Sequence, residues 1–133
     1  DDLIKQLDDI YSDSALFYDA LELYNKKEYN DAYYYFNKID KENSYYEKSV
    51  SYCNSIIDKI IEFINNDIEK LEEGIDTFDD DSKLRVYTSI EQIIIDYANV
   101  YFNIPLSDNT EYQELLGKYT SKVSEYSSVV NNQ

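Results

Sequence analysis

The sequence predicts an all-α protein. Only 2 Gly and 1 Pro punctuate its 133 residues. Apolar residues recur at three- and four-residue steps along most of the chain, and capping patterns stand where those stretches open. A many-turned β architecture would need far more turn residues. About five helices fit: a helical hairpin, one long helix and two further antiparallel helices, in a single domain over residues 1–133.

The first helix is expected from near Leu3 to about Asn25, with an interruption around Ser12 to Ser14, and with Leu3, Leu7, Ile10, Phe17, Leu21 and Tyr24 forming its apolar stripe. The second covers about Asn30 to Asp40. The long helix spans 44–73. It opens on Ser44 and Glu47, where a serine hydroxyl caps the amide three residues on and the glutamate returns to the cap amide. Val50, Cys53, Ile57, Ile60, Ile64, Ile68 and Leu71 share one of its faces, and Gly74 supplies a left-handed closing residue.

The C-terminal pair occupies 82–130. An acidic loop with Asp79, Asp80 and Asp81 precedes a helix from Ser82 to Asn103, just short of Pro105. Its Ile93 to Ile95 run tempts toward a strand, yet Ile90, Ile93, Ile94, Tyr97, Tyr101 and Ile104 keep helical spacing. Asp108 and Glu111 offer a second capping box before the stripe Leu115, Leu116, Tyr119, Val123, Tyr126 and Val130. Gly117 interrupts that stripe, which points to a close helix contact at the glycine.

Residues Leu16 to Ile39 carry large, small and large residues at Leu16, Ala20 and Leu23, then Tyr29, Ala32, Phe36 and Ile39 at helical steps. This segment resembles the tetratricopeptide repeat, a helix-turn-helix unit. A shift of about 34 residues places Leu16 on Val50, Ala20 on Asn54 and Leu23 on Ile57, so the following unit keeps two positions of three. The resemblance implies a repeat-like hairpin over 16–39 and a concave groove lined by Phe17, Leu21 and Tyr24, with Ser51, Ser55 and Asp58 from the next helix. No Lys, Arg or Asn at these positions would grip a C-terminal carboxylate, which disfavours a chaperone-tail receptor. The segment from Ala20 to Val50 also looks like helical modules in the extracytoplasmic parts of anchored proteins from low-GC Gram-positive bacteria.

Charge and composition narrow the function. With 12 basic and 28 acidic residues the formal net charge is −16, so nucleic acid and anionic lipid are repelled and a basic partner is favoured. His is absent and Cys53 is the one thiol, which excludes Ser-His-Asp triads, Cys-His dyads and Cys/His zinc sites within the chain. Asp76, Asp79, Asp80 and Asp81 lack the spacing of a calcium loop and are expected to support the next helix through its dipole. Cys53 on an apolar helical face reads as a small buried hydrophobe. No catalytic residue, cofactor or metal is assigned, and no stretch is long and apolar enough to insert in a membrane.

The 16 Tyr crowd at residues 33–35 and 45–46, where one helix face cannot bury every ring. Tyr34 and Tyr45 are therefore candidates for partner contact. The expected function is a non-enzymatic protein or peptide interaction module using the groove or a Tyr-rich face. The alternative is a structural ectodomain or spacer of a membrane- or lipid-anchored bacterial surface protein. The sequence has no Met, which is read as loss of an upstream segment and favours an extracytoplasmic or cell-surface placement over a cytoplasmic one. The partly heptad spacing of the long helix leaves room for an oligomer.

Overall fold

The computed structural model describes residues 2–133, without the side chains of Asp9, Ile10 and Asp13. Ile10, assigned to the first apolar stripe, therefore lies outside the described side chains. The described residues form α1 (Asp2–Asn25), α2 (Tyr29–Phe36), α3 (Tyr46–Leu71), α4 (Asp80–Val100) and α5 (Thr110–Asn131), with 3-10 turns at Ile75–Thr77 and Leu106–Asp108 and no strand. No helix among them is long and apolar enough to cross a membrane. The chain divides into two compact units. One comprises Asp1–Asp58 and Tyr101–Ile104, the other Lys59–Val100 and Pro105–Gln133.

In the first unit α1 packs on α2. Ala20 and Ala32 are completely buried, and side chains this small let helix backbones approach closely. Phe17, Phe36 and Ile39 fill the surrounding interior. The turn between the helices is a Schellman closure. Lys27 N–H donates to Tyr24 C=O at 3.0 Å and Glu28 N–H to Leu23 C=O at 2.9 Å. Lys27 stands at the left-handed position with φ 64°, where a side chain is strained and glycine is not.

α1 runs unbroken through Ser12 to Ser14, but its N-terminal half is not covered. Leu3, Ile4, Leu7 and Tyr11 are all exposed. The reason is length: α2 has 8 residues, about 12 Å, against about 36 Å for the 24 residues of α1. Of the described stripe residues Phe17 is buried and Leu21 and Tyr24 are half-buried. α2 itself stops at Phe36 and not at Asp40, because Lys38 and Ile39 turn to bonds with the carbonyls three residues back, and Ile39 drops into the interior.

In the second unit the interior consists of Ile60, Ile61, Ile64 and Ile68 of α3, Tyr87, Ile90 and Ile94 of α4, and Leu106, Tyr112 and Tyr119. α4 packs along α5, and the buried Tyr112 hydroxyl donates to Ile94 C=O at 2.7 Å. On α3 the buried face is carried by Cys53, Ile56, Ile60, Ile61, Ile64 and Ile68, whereas Val50 is exposed.

Three helix ends differ from the sequence reading. α3 is entered through Asn43, whose Oδ1 accepts from Tyr45 N–H at 2.8 Å, and not through a Ser44 cap. α5 begins one residue later than the Asp108 box implies, with Asn109 Oδ1 accepting from Tyr112 N–H at 2.9 Å. Asparagine takes both places because its short side chain reaches an amide two or three residues on. α4 ends at Val100, since Pro105 disfavours a helical Ile104 and Asn103 N–H is taken by the Asn30 side chain at 2.8 Å. The acidic loop does cap α4: Asp79 Oδ1 accepts from Ser82 N–H at 2.8 Å, and this bond holds the Asp79 carboxyl below its usual range. Gly74 adopts φ 73° behind α3.

Gly117 is not a close-contact residue. A Cβ built there meets nothing within 4 Å, so the position carries only the conformational cost of a helical glycine. Two substitutions should therefore stabilise the fold independently. Gly117→Ala is expected to add about 1 kcal/mol, and Lys27→Gly about 1 kcal/mol by relieving the left-handed strain. Urea unfolding midpoints of the single and double variants check both values and their additivity.

Candidate functional site

The residues proposed for a groove separate into different environments. Phe17 is interior, 5% exposed. Its ring stacks on Tyr45 at 4.7 Å between centroids and meets Phe36 and Tyr52 edge-on at 5.7 and 6.0 Å. It presents no binding surface, because the hairpin consumes it in packing. Tyr24 and Ser55 are half-buried and share a hydrogen bond at 3.0 Å, tying α1 to α3. Leu21 is half-buried, while Ser51 and Asp58 are exposed. Tyr45 is half-buried against Phe17, with the Lys48 ammonium 5.9 Å from its ring.

Tyr34 leads elsewhere, to a cleft of about 650 Å³ formed within the first unit. α1 contributes Asp19, Glu22, Leu23 and Lys26, α2 contributes Asp31, Tyr34 and Tyr35, and the returning turn adds Phe102 and Asn103. Helical spacing explains the first set: Asp19, Glu22, Leu23 and Lys26 lie at steps of three and four on one face. That face is roughly opposite the one on which Phe17 is buried.

The third wall is built by a contact across 73 residues of sequence. Asn103 N–H donates to Asn30 Oδ1 at 2.8 Å, and Asn103 Nδ2 donates to Asn30 C=O at 3.4 Å. Ile104 beside it is buried. With the chain anchored at these two residues directly after it, Phe102 is left 73% exposed at the cleft. Burying a phenylalanine side chain is worth about 1.5–3 kcal/mol, and here that gain is left unused by the chain itself.

The cleft is acidic and aromatic together. Glu22 is paired with Lys26 at 3.0 Å, and that partner raises the Lys26 ammonium above its usual range. Asp19 and Asp31 are exposed. Tyr34 and Tyr35 meet edge to face at 5.5 Å, and the Lys38 ammonium lies 4.2 Å from the Tyr34 ring centroid, well inside cation–π range. Such a surface attracts cations and offers ring faces.

The second unit has a smaller cleft of about 500 Å³ along α3 and α5, lined in part by Glu69, Glu72 and Glu73. Its one interior ring is already engaged: Tyr119 donates to Glu72 Oε1 at 2.9 Å, and the Lys118 ammonium sits 5.2 Å from the ring centroid. Among the described residues no group of three or more Asp, Glu or Cys is placed to hold a metal ion.

No protein family, curated protein or solved structure matches this chain. Of the cleft residues, only Tyr34 stood out in the sequence. Phe102 could have been found as a large ring three residues before Pro105 that falls off the stripe of Ile90, Ile93, Ile94, Tyr97, Tyr101 and Ile104. Asp19 and Asp31 carry no signal in a sequence so rich in acid.

Burial raises the Cys53 thiol and the Tyr33, Tyr87, Tyr112 and Tyr119 phenols, so stability depends on alkaline pH, Cys53 and Tyr119 being shifted furthest. Burial pushes the Cys53 thiol from 9.0 up to about 11. Tyr119 is raised well above its usual 10.0, first by burial and then by its bond to Glu72. Both pKa values are higher folded than unfolded, so above the ordinary values the unfolded chain loses protons that the native state retains. Stability should be full below pH 9 and fall from 9 to 11 as the Cys53 window is crossed, with Tyr119 adding to the loss above 10. Urea midpoints across this range should show the decline, with a shallower slope in Cys53→Ala and in Tyr119→Phe.

Proposed function

We propose that the chain is a non-enzymatic protein or peptide interaction module that captures its partner in the cleft of the α1–α2 hairpin. The observation that carries this reading is Phe102, a ring 73% exposed on a turn fastened by Asn30 and Ile104, beside a cleft that two tyrosines complete. Exposed rings on a rigid scaffold supply the large contact area and small entropy loss that binding hot spots use. The resemblance of Leu16 to Ile39 to a tetratricopeptide hairpin supports the same class of function. The binding face that Phe102 favours differs from the groove of Phe17 and Leu21 that this resemblance implies, since Phe17 is spent on the interior.

The test is selection of a random peptide library against the full chain, with each enriched peptide re-measured on the double variant Tyr34→Leu with Phe102→Ala. Both residues are exposed, so the variant is expected to melt like the parent. Enriched peptides should lose at least about tenfold in affinity for it, the scale of one or two hot-spot residues. Peptides that bind parent and variant alike would remove the cleft as the site of capture.

A further inference from the structure

We infer that the cleft takes the cationic side chain of a lysine- or arginine-bearing peptide segment, its charged end against Asp19 and Asp31 and its methylene stem along Tyr34 and Phe102. The inference rests on the interaction-module reading above and names the ligand class for that site.

Charge is the first argument. The cleft is lined by the carboxylates of Asp19, Glu22 and Asp31 and by one ammonium, Lys26. Lys26 is already committed to Glu22 at 3.0 Å. The Asp19 and Asp31 side chains stay exposed, with no side-chain hydrogen bond or ion pair among the described residues. An anionic occupant would be repelled, and a purely apolar one would lie against two carboxylates that it cannot satisfy.

The chain itself seats an ammonium on the ring of a cleft residue, Tyr34, although Lys38 is not one of the residues that line the cleft. Lys38 Nζ lies 4.2 Å from the Tyr34 ring centroid, the geometry in which a ring quadrupole attracts a cation. The same mode recurs elsewhere, with Lys83 over Tyr126 at 5.8 Å and Lys122 over Tyr87 at 5.7 Å, but Tyr34 has the closest approach of these. Lys38 is exposed and free to swing away, so it acts as an internal competitor for the ring. A lysine or arginine stem is apolar along its length and charged at its end, which matches a site with rings and carboxylates side by side. The charge of the whole chain, −16, further raises the encounter rate with a basic segment.

The experiment uses the full ¹⁵N-labelled chain and three defined probes: a peptide of Lys-Ser-Gly repeats, its Arg counterpart and its Glu counterpart, titrated at physiological salt. The Lys and Arg probes should shift amides of residues 19–26, 31–35 and 102–103, and the Glu probe should not. Tyr34→Leu, which leaves the charge unchanged, should weaken the Lys probe about fivefold, and Asp19→Asn should weaken it as well. Lys38→Gln should tighten it more than Lys118→Gln, a substitution with the same change in net charge on the second unit.

Shifts spread evenly over the surface carboxylates, Asp79 to Asp81 included, with Tyr34→Leu binding like the parent, would overturn the inference in favour of general attraction to an acidic surface. The library selection separates that failure from failure of the interaction-module reading. Enriched peptides that need Tyr34 and Phe102 but carry no Lys or Arg would overturn the cationic ligand and keep the module. Enriched peptides indifferent to the cleft would remove both.

Discussion

The flat stack of Tyr52 on Phe36, with ring centroids 4.9 Å apart and planes within 2° of parallel, is the contact on which the first unit depends. It fastens the hairpin to α3, and the rings around it follow from it. Phe17 and Tyr24 approach Tyr52 edge-on at 6.0 and 4.9 Å, and Tyr45 closes over Phe17. Edge and offset contacts of this kind add about 0.5–1.5 kcal/mol per pair beyond the area buried. Because α2 is only 8 residues long, it has few other means of holding its orientation. That orientation carries Asn30 to the position where it fastens Asn103, and so places Phe102 at the cleft.

The abundance of tyrosine has a physical role in an acidic chain. A tyrosine brings a large apolar ring to the interior and a hydroxyl that donates to the carboxylates and carbonyls such a chain has in excess. Tyr97 donates to Asp67, Tyr119 to Glu72 and Tyr112 to Ile94 C=O. The ring faces meanwhile serve as seats for the few lysines. With His and Trp absent, no other residue in the chain combines these uses. The candidate cleft repeats the same chemistry with its ring faces turned outward.

Element type was legible from the sequence because helical periodicity persists over long stretches and turn residues are scarce. Gly74 as a left-handed residue behind α3 and Asp79 as the support of the start of α4 were legible too, since both rest on local backbone chemistry, although α4 takes in Asp80 and Asp81, which the sequence assigned to the loop. The entry to α3 and the cap of α5 fell on Asn43 and Asn109 in place of Ser44 and Asp108 because several polar residues stand side by side, and local rules do not rank them. Gly117 was assigned a packing role that the empty space above it removes, while the strained Lys27 passed unnoticed, since a Schellman closure is usually marked by glycine.

Sequence alone therefore determined that this protein is helical, roughly where its helices begin and end, that it is strongly acidic, and which residues share a face. Tertiary structure alone decided which faces are covered. Leu3 and Leu7 carry the same periodic signal as Phe17, yet only Phe17 is buried, because a partner helix of about 12 Å reaches no further along α1. The cleft was equally beyond the sequence: its third wall arrives through a hydrogen bond between Asn30 and Asn103. Periodicity describes one helix at a time, whereas a site made by residues far apart in the chain exists only once the helices have packed.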